Sequence, residues 1–154
     1  MLAAEGLVVL QPNRGATVAN PSPDEVDQTF RVIGAMEALA GELACENVDE
    51  ADIAEIRAMH YQMVLHRTRQ ELPDYFKLNQ QIHQRIVEAS GNAVLVETYR
   101  RLVGRIRRHR YIANLSAKRW DEAIREHEEM LGALDERDGA RLSTILRRHL
   151  DNKR

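Results

Sequence analysis

Four polar residues of this chain occupy positions where a helical pattern expects apolar side chains. Asn79 and His83 are four residues apart in the run from Pro73 to Asn92, in which apolar residues recur at helical spacing. Both side chains therefore project from one face of a helix. Two core residues with satisfied hydrogen bonds would explain such a pair, because an unpartnered buried polar group costs about 1–3 kcal/mol.

His127 and His149 extend this set. Each replaces an apolar residue in an inward helical row, and the two lie eleven residues before and after Asp138. A helical hairpin turning at Asp138 would bring both imidazoles to one level of a shared core. Three imidazoles and an amide oxygen suit zinc, nickel, copper or iron. The pattern predicts one divalent metal ion, zinc or nickel first, bound by Asn79, His83, His127 and His149, with satisfied core residues as the alternative.

The composition is that of a globular protein with one ordinary domain. The chain has 154 residues, of which 44% are apolar and 30% charged, and its formal net charge is -2. This charge gives no sign of nucleic-acid binding by the chain as it stands. The sequence shows no signal peptide and no apolar run long enough to span a bilayer. Cys45 is the only cysteine, so we expect no intramolecular disulfide and a cytoplasmic location.

Six helices joined by short loops are predicted, and together they define an all-α antiparallel bundle. Ser22 and Glu25, with Pro23 between them, form a capping-box pattern that begins the first helix, which runs to about Cys45. Ser116 is expected to cap the fifth helix. The second to sixth helices are predicted over residues 50–70, 73–90, 93–113, 117–137 and 140–151.

The first nineteen residues depart from this helical pattern. Two β-prone runs, 7–10 and 16–19, flank the turn-forming residues 11–15 and predict a β-hairpin. An isolated hairpin is only marginally stable, so we expect it to belong to a larger unit. Residues 20–23 form a linker to the helical body at 24–154.

From residue 23 onwards the chain resembles the FCD domain, the effector-binding domain of the FadR subfamily of GntR transcription regulators. That family has Asp or Asn, then His four residues later, followed by Ala-Ser-Gly-Asn. The chain has Asn79, His83 and residues 89–92. The family's later Glu-His pair, Arg-Asp turn and final histidine match residues 126–127, residues 137–138 and His149. The first nineteen residues resemble the wing that closes the winged helix-turn-helix domain.

The resemblance implies an all-helical, dimeric sensor that controls DNA binding. It further implies that a divalent metal at the four positions helps to hold a small carboxylate effector. The helices that enter the major groove are then missing, because of a truncation or a misplaced start. We therefore expect operator binding only from a form that includes them, and no membrane partner.

Two positions depart from the family pattern. Asn79 replaces the commoner aspartate and offers a neutral oxygen to the metal. Gly34 stands where many relatives carry an arginine that grips a carboxylate. Arg105, beside Leu102 and Ile106 on the fourth helix, is the candidate effector-binding residue, and a solvated arginine is its alternative.

The rival interpretation is an enzyme, because a metal held by three histidines can activate water. However, no carboxylate stands in the helical rows of the four residues as a general base, and no nucleophile elbow or phosphate loop is present. We therefore expect no catalytic residues and no enzyme activity. A dimerisation module with a purely structural metal is a third possibility.

The three other histidines fit no comparable pattern. His60 and His66, on the second helix, are interpreted as surface or rim residues. His109 lies in the basic run 105–110, which is interpreted as a solvated face.

Overall fold

A β-hairpin precedes six helices in the computed structural model, which describes residues 8–11, 15–18, 20–112 and 117–153. The predicted all-α class is confirmed, and each helix boundary lies within about two residues of its prediction. Ser116 lies outside the described residues. The helices are α1 (Pro23–Asn47), α2 (Glu50–Thr68), α3 (Leu72–Ala89), α4 (Ala93–Ile112), α5 (Ala117–Asp135) and α6 (Gly139–Asp151).

Local chemistry sets several helix ends. The Ser22 side chain accepts a hydrogen bond from the Glu25 backbone N–H, and the Glu25 carboxylate accepts one from the Ser22 backbone N–H. This capping box begins α1 as predicted. Gly91 follows α3 with φ +67°, a conformation that glycine adopts without strain. The Asn92 side chain then caps α4 by accepting from the Leu95 N–H.

Helix α6 packs mainly against α1, and α2 packs against α3. At one end of the α1–α6 contact, a Cβ added to Gly139 would lie 3.0 Å from the Cα and carbonyl oxygen of Glu42. Helix α5 contacts both α2 and α6. Buried residues of α3, α5 and α6 belong to one hydrophobic core. Among the described residues, no helix combines the length and the apolar character needed to cross a membrane.

The N-terminal strands are β1 (Val8–Gln11) and β2 (Gly15–Val18). They pair antiparallel, from Val8 opposite Val18 to Gln11 opposite Gly15. This pairing agrees with the predicted hairpin over residues 8–10 and 16–18, and it also includes Gln11 and Gly15. Predicted residues 7, 12–14 and 19 lie outside the described residues.

Candidate metal centre

The structure brings the four predicted metal ligands together in the core. Helix α3 carries Asn79 and His83, α5 carries His127 and α6 carries His149, and each residue is at most 1% exposed. The three imidazole rings lie 4.9–5.1 Å apart between centroids. One nitrogen from each ring falls within 4.8 Å of the others. The α5–α6 hairpin thus sets His127 and His149 side by side, as their spacing about Asp138 predicts.

Two buried carboxylates decide which histidine nitrogens face the centre. Glu37 Oε2 lies 2.8 Å from His83 Nδ1, and Glu126 Oε2 lies 2.5 Å from His149 Nδ1. An ionised carboxylate only accepts hydrogen bonds, so each Nδ1 carries a proton and each neutral ring keeps a lone pair on Nε2. These two Nε2 atoms are 3.1 Å apart. Two facing lone pairs repel each other, and a shared proton or a metal ion relieves that repulsion.

His127 lies at the same centre, where its Nε2 accepts a hydrogen bond. The donor is the Asn79 Nδ2 at 3.2 Å, since an amide nitrogen can only donate. Within the described part of the chain, the His127 Nδ1 has no hydrogen-bond partner. The Asn79 Oδ1 accepts a hydrogen bond from Lys153 Nζ at 3.0 Å. A metal ion would have to displace both of these hydrogen bonds, and the four side chains would then offer three imidazole nitrogens and one amide oxygen.

The electrostatics keep these imidazoles neutral. Burial lowers the pKa of His127 and His149 well below 6.5, and the neighbouring Lys153 and His83 lower both further. A neutral imidazole is the form that binds a metal ion. Burial alone would raise the pKa of Glu37, but His83, Arg110 and Tyr99 together lower it to about 2. The carboxylate behind His83 therefore remains ionised.

A further layer of polar residues holds each carboxylate. Glu37 accepts a hydrogen bond from the Tyr99 hydroxyl at 2.7 Å, and Arg110 lies 3.6 Å away. Glu126 forms a buried ion pair with Arg119. Carboxylates that fix the ring orientation of histidines are typical of the layer around protein metal sites. The residues present therefore fit a divalent metal ion.

Two carboxylates, Glu37 and Glu126, lie beside the histidines. The sequence prediction concerned only the helical rows of the four residues themselves, and neither carboxylate stands in those rows. Glu37 reaches His83 from α1 and is 1% exposed. Glu126 precedes His127 in sequence but binds His149 on α6. An acidic residue in the inward row of α1 was the available signal.

His60 corrects a prediction, because it is not a surface residue. It is 2% exposed, and its ring stacks 6.3 Å from that of His127. It lies in the buried row of α2 with Ile53, Ile56 and Met63. His66 fits its prediction as a rim residue, because it is partly exposed. Its Nδ1 lies 2.6 Å from the Glu71 Oε2.

Arg105 does not join the histidines. It is exposed on α4 and lines a surface cavity of about 270 Å³, which agrees with the alternative of a solvated arginine. The buried cations are instead Arg110, Arg119 and Lys153. Sequence reasoning missed them because basic residues are seldom buried without a partner. The carboxylate near Arg110 and the amide that Lys153 binds lie on other helices.

Comparisons with known proteins agree with this architecture. The family model of the FCD domain matches residues 28–152. The HTH-type transcriptional repressor RspR of Escherichia coli is 24% identical over 149 residues, which cover 97% of this chain and 65% of RspR. The HTH-type transcriptional repressor GlaR of Escherichia coli is 28% identical over 157 residues, covering 97% of this chain and 71% of GlaR. The chain thus spans about two thirds of the length of these relatives.

Solved structures share the fold. The chain superposes on Escherichia coli McbR/YncC with a TM-score of 0.89 and 19% identity, covering 97% of this chain and 76% of that one. It superposes on Lar of Listeria monocytogenes with a TM-score of 0.79 and 15% identity, covering 99% of this chain and 73% of that one. At these identities the likeness concerns the fold alone.

Proposed function

This chain belongs to the FCD domain family of GntR-type transcription regulators, and we propose that it is the ligand-sensing part of such a regulator. The relatives that it matches are transcriptional regulators and not enzymes. This confirms the expectation that the protein is not an enzyme. In this proposal a divalent metal ion, zinc or nickel, binds to Asn79, His83, His127 and His149. The metal then holds a small carboxylate effector.

One observation carries the metal assignment. Three buried imidazoles each place one ring nitrogen within 4.8 Å of the others. The Nε2 lone pairs of His83 and His149 face each other, because buried carboxylates fix the tautomers of these two rings. Such an arrangement is unfavourable without a cation, because two lone pairs meet at 3.1 Å. Facing lone pairs do not stabilise a core that serves only packing. The arrangement therefore favours a metal-binding site over core residues whose hydrogen bonds are satisfied.

The charge balance supports an anionic effector. The donors are neutral, and each carboxylate behind them has an arginine beside it, Glu37 with Arg110 and Glu126 with Arg119. A bound divalent ion would therefore keep most of its positive charge. It would supply a Lewis-acidic position for a carboxylate oxygen.

We further propose that the regulator acts as a homodimer on operator DNA. The hairpin at residues 8–18 supports this, because a hairpin before the sensor domain suits the wing of a winged helix-turn-helix domain. Residues 20–23 would then link the two domains. A dimer would allow paired DNA-binding domains to read two half-sites.

Metal analysis of the purified protein tests the proposed function. After removal of metals with a chelator and separate resupply of zinc and nickel, we expect one ion per chain. His127→Ala and His149→Ala should each lose most of this binding, whereas His66→Ala should retain it because His66 lies outside the cluster. Circular dichroism of the metal-free variants checks that they fold. A parent protein that binds neither ion, or histidine variants that bind as much as the parent, would contradict the assignment.

Calorimetry then tests the sensing role. Small carboxylates titrated into the metal-loaded protein should bind and be recovered unchanged. The metal-free protein should bind them much more weakly. Equal binding with and without metal would separate the effector site from the metal and reject this part of the proposal.

A further inference from the structure

Lys153 is a buried cation that the proposed metal site does not use. It follows α6, and its side chain returns to the core, where the residue is only 5% exposed. Its Nζ donates one hydrogen bond, to Asn79 Oδ1 at 3.0 Å. An ammonium group has three donors. In the part of the chain that the structure describes, the Lys153 Nζ has no other hydrogen bond and no ion pair.

The nearby carboxylates are already engaged. Glu37 binds His83 and Tyr99, and Glu126 binds His149 and Arg119. Lys153 is therefore unlike the two buried arginines, each of which lies within 4.0 Å of a carboxylate. Burial lowers the pKa of Lys153 well below its usual value of 10.5, and Arg110 lowers it further. The remaining N–H donors of the amine have no partner among the described residues, and an anion beside them would accept from them and favour the charged form.

The position on α1 where many relatives carry a carboxylate-binding arginine supplies no positive charge in this chain. Gly34 has no side chain, and a Cβ there would meet only the Leu150 Cβ, at 3.6 Å. Arg105 is exposed elsewhere on α4. Lys153 is buried and is hydrogen-bonded to Asn79 itself. It therefore lies where an anion bound at the metal site would be in reach.

We propose that Lys153 binds the carboxylate of the effector and couples its binding to that of the metal. The inference rests on the proposed function and adds to it the residue that selects an anion. The Lys153 amine and a divalent cation compete for Asn79 Oδ1, and the amine in its charged form would also repel the cation. A carboxylate in contact with both groups offsets this repulsion. Lys153 should therefore lower the affinity for metal alone. Bound metal should raise the affinity for the carboxylate, and bound carboxylate should raise the affinity for the metal.

The test replaces Lys153 with methionine, which keeps most of the side-chain length and removes the charge. Lys77→Met is the matched control, because Lys77 is exposed on α3 two residues before Asn79. Cobalt(II) replaces zinc as a spectroscopic probe, and acetate is the carboxylate probe. Cobalt affinity is measured without acetate, and acetate affinity is then measured from the visible spectrum of the cobalt-loaded protein.

The two measurements should change in opposite directions. Lys153→Met should weaken acetate binding about tenfold or more, the loss expected for one charge-assisted hydrogen bond. The same variant should bind cobalt severalfold more tightly in the absence of acetate. Lys77→Met should change neither affinity. A merely structural lysine would not separate the two affinities in this way.

Other outcomes overturn the inference. Weaker cobalt binding by Lys153→Met without acetate would make the amine a metal ligand or a structural residue. Unchanged acetate affinity, or a cobalt-loaded parent that binds no acetate at high concentration, would remove its role toward the anion. In these cases the metal site stands and only this inference fails. A parent that binds no cobalt would instead reject the proposed function itself, and with it this inference.

Discussion

The carboxylate behind each histidine determines which ring nitrogen faces the centre. Glu126 accepts a hydrogen bond from the His149 Nδ1. Glu126→Gln should therefore make the orientation of the His149 ring less fixed and its Nε2 less basic. We expect a 10- to 100-fold loss of metal affinity, the usual effect of removing such a partner. Competition with a chromophoric chelator measures it.

Glu129→Gln is the matched control for this prediction. Glu129 lies on the same helix, is 46% exposed and pairs with Arg148. Its replacement should leave the metal affinity unchanged. Equal effects of the two substitutions would show that the loss reflects general charge and not the hydrogen bond to His149.

The buried histidines also predict how acid affects the metal-free protein. Burial lowers the pKa of His127 and His149 in the folded state below the unfolded value of 6.5. Below about pH 6.5 the unfolded chain therefore binds more protons than the folded one. The free energy of unfolding is highest above that pH and falls by about 1.4 kcal/mol per pH unit for each histidine, until the folded-state pKa is reached.

Urea unfolding at several pH values between about 5 and 8 measures this dependence. His149→Gln removes one of the buried histidines that contribute to this slope and should make it shallower. A parent protein whose stability is constant across this range would contradict the assignment of neutral imidazoles.

Helices α1 and α6 approach closely enough to test the fold. A Cβ at Gly139 would lie 3.0 Å from the Glu42 backbone, so Gly139→Ala should push the two helices apart. We expect a loss of about 1–3 kcal/mol in the free energy of unfolding, as for other overpacked sites. Since α1 carries Glu37 and α6 carries His149, metal affinity should fall as well.

Gly132→Ala on α5 is the control. A Cβ there would meet only the Arg141 side chain, at 3.6 Å, so no clash is expected. Alanine inside a helix should stabilise the protein by about 0.5–1 kcal/mol relative to glycine. If both variants behave alike in thermal unfolding, the close approach of α1 and α6 is not confirmed.

The helices were predictable because their ends depend on local signals. The capping box at Ser22 and the glycine at Gly91 act within a few residues, and sequence spacing contains that information. The α5–α6 hairpin was predictable for the same reason, since a short turn fixes the level of His127 against His149. Helical periodicity also predicted inward positions for all four proposed ligands, and all four are buried.

The partners of the histidines were not predictable in this way. The bond from His83 to Glu37 joins residues on α3 and α1, and Lys153 reaches Asn79 from beyond α6. Spacing within one helix says nothing about which other helix packs against it. Buried charges also contradict the ordinary preference for solvent, so Arg110 and Lys153 stand out only once their surroundings are known.

The whole chain is expected to form a dimer. Large apolar side chains remain exposed on α1 and α2, including Val32 and Leu39, which lie seven residues apart on one face of α1. These faces lie outside the buried histidine cluster, so both metal-free and zinc-loaded protein should dimerise. Sedimentation velocity at micromolar concentration should show a species of twice the chain mass. A monomer in both states would contradict this prediction.

The metal itself is the most direct test of the account. X-ray absorption at the zinc edge, on protein loaded with one equivalent of zinc, reports the ligands of the ion. We predict three imidazoles about 2.0–2.1 Å from zinc with oxygen completing the shell, and little bound zinc in His149→Ala. A shell of oxygens with a single imidazole would instead indicate the more exposed group of His66, Glu71 and Asp74, and would contradict the proposed metal centre.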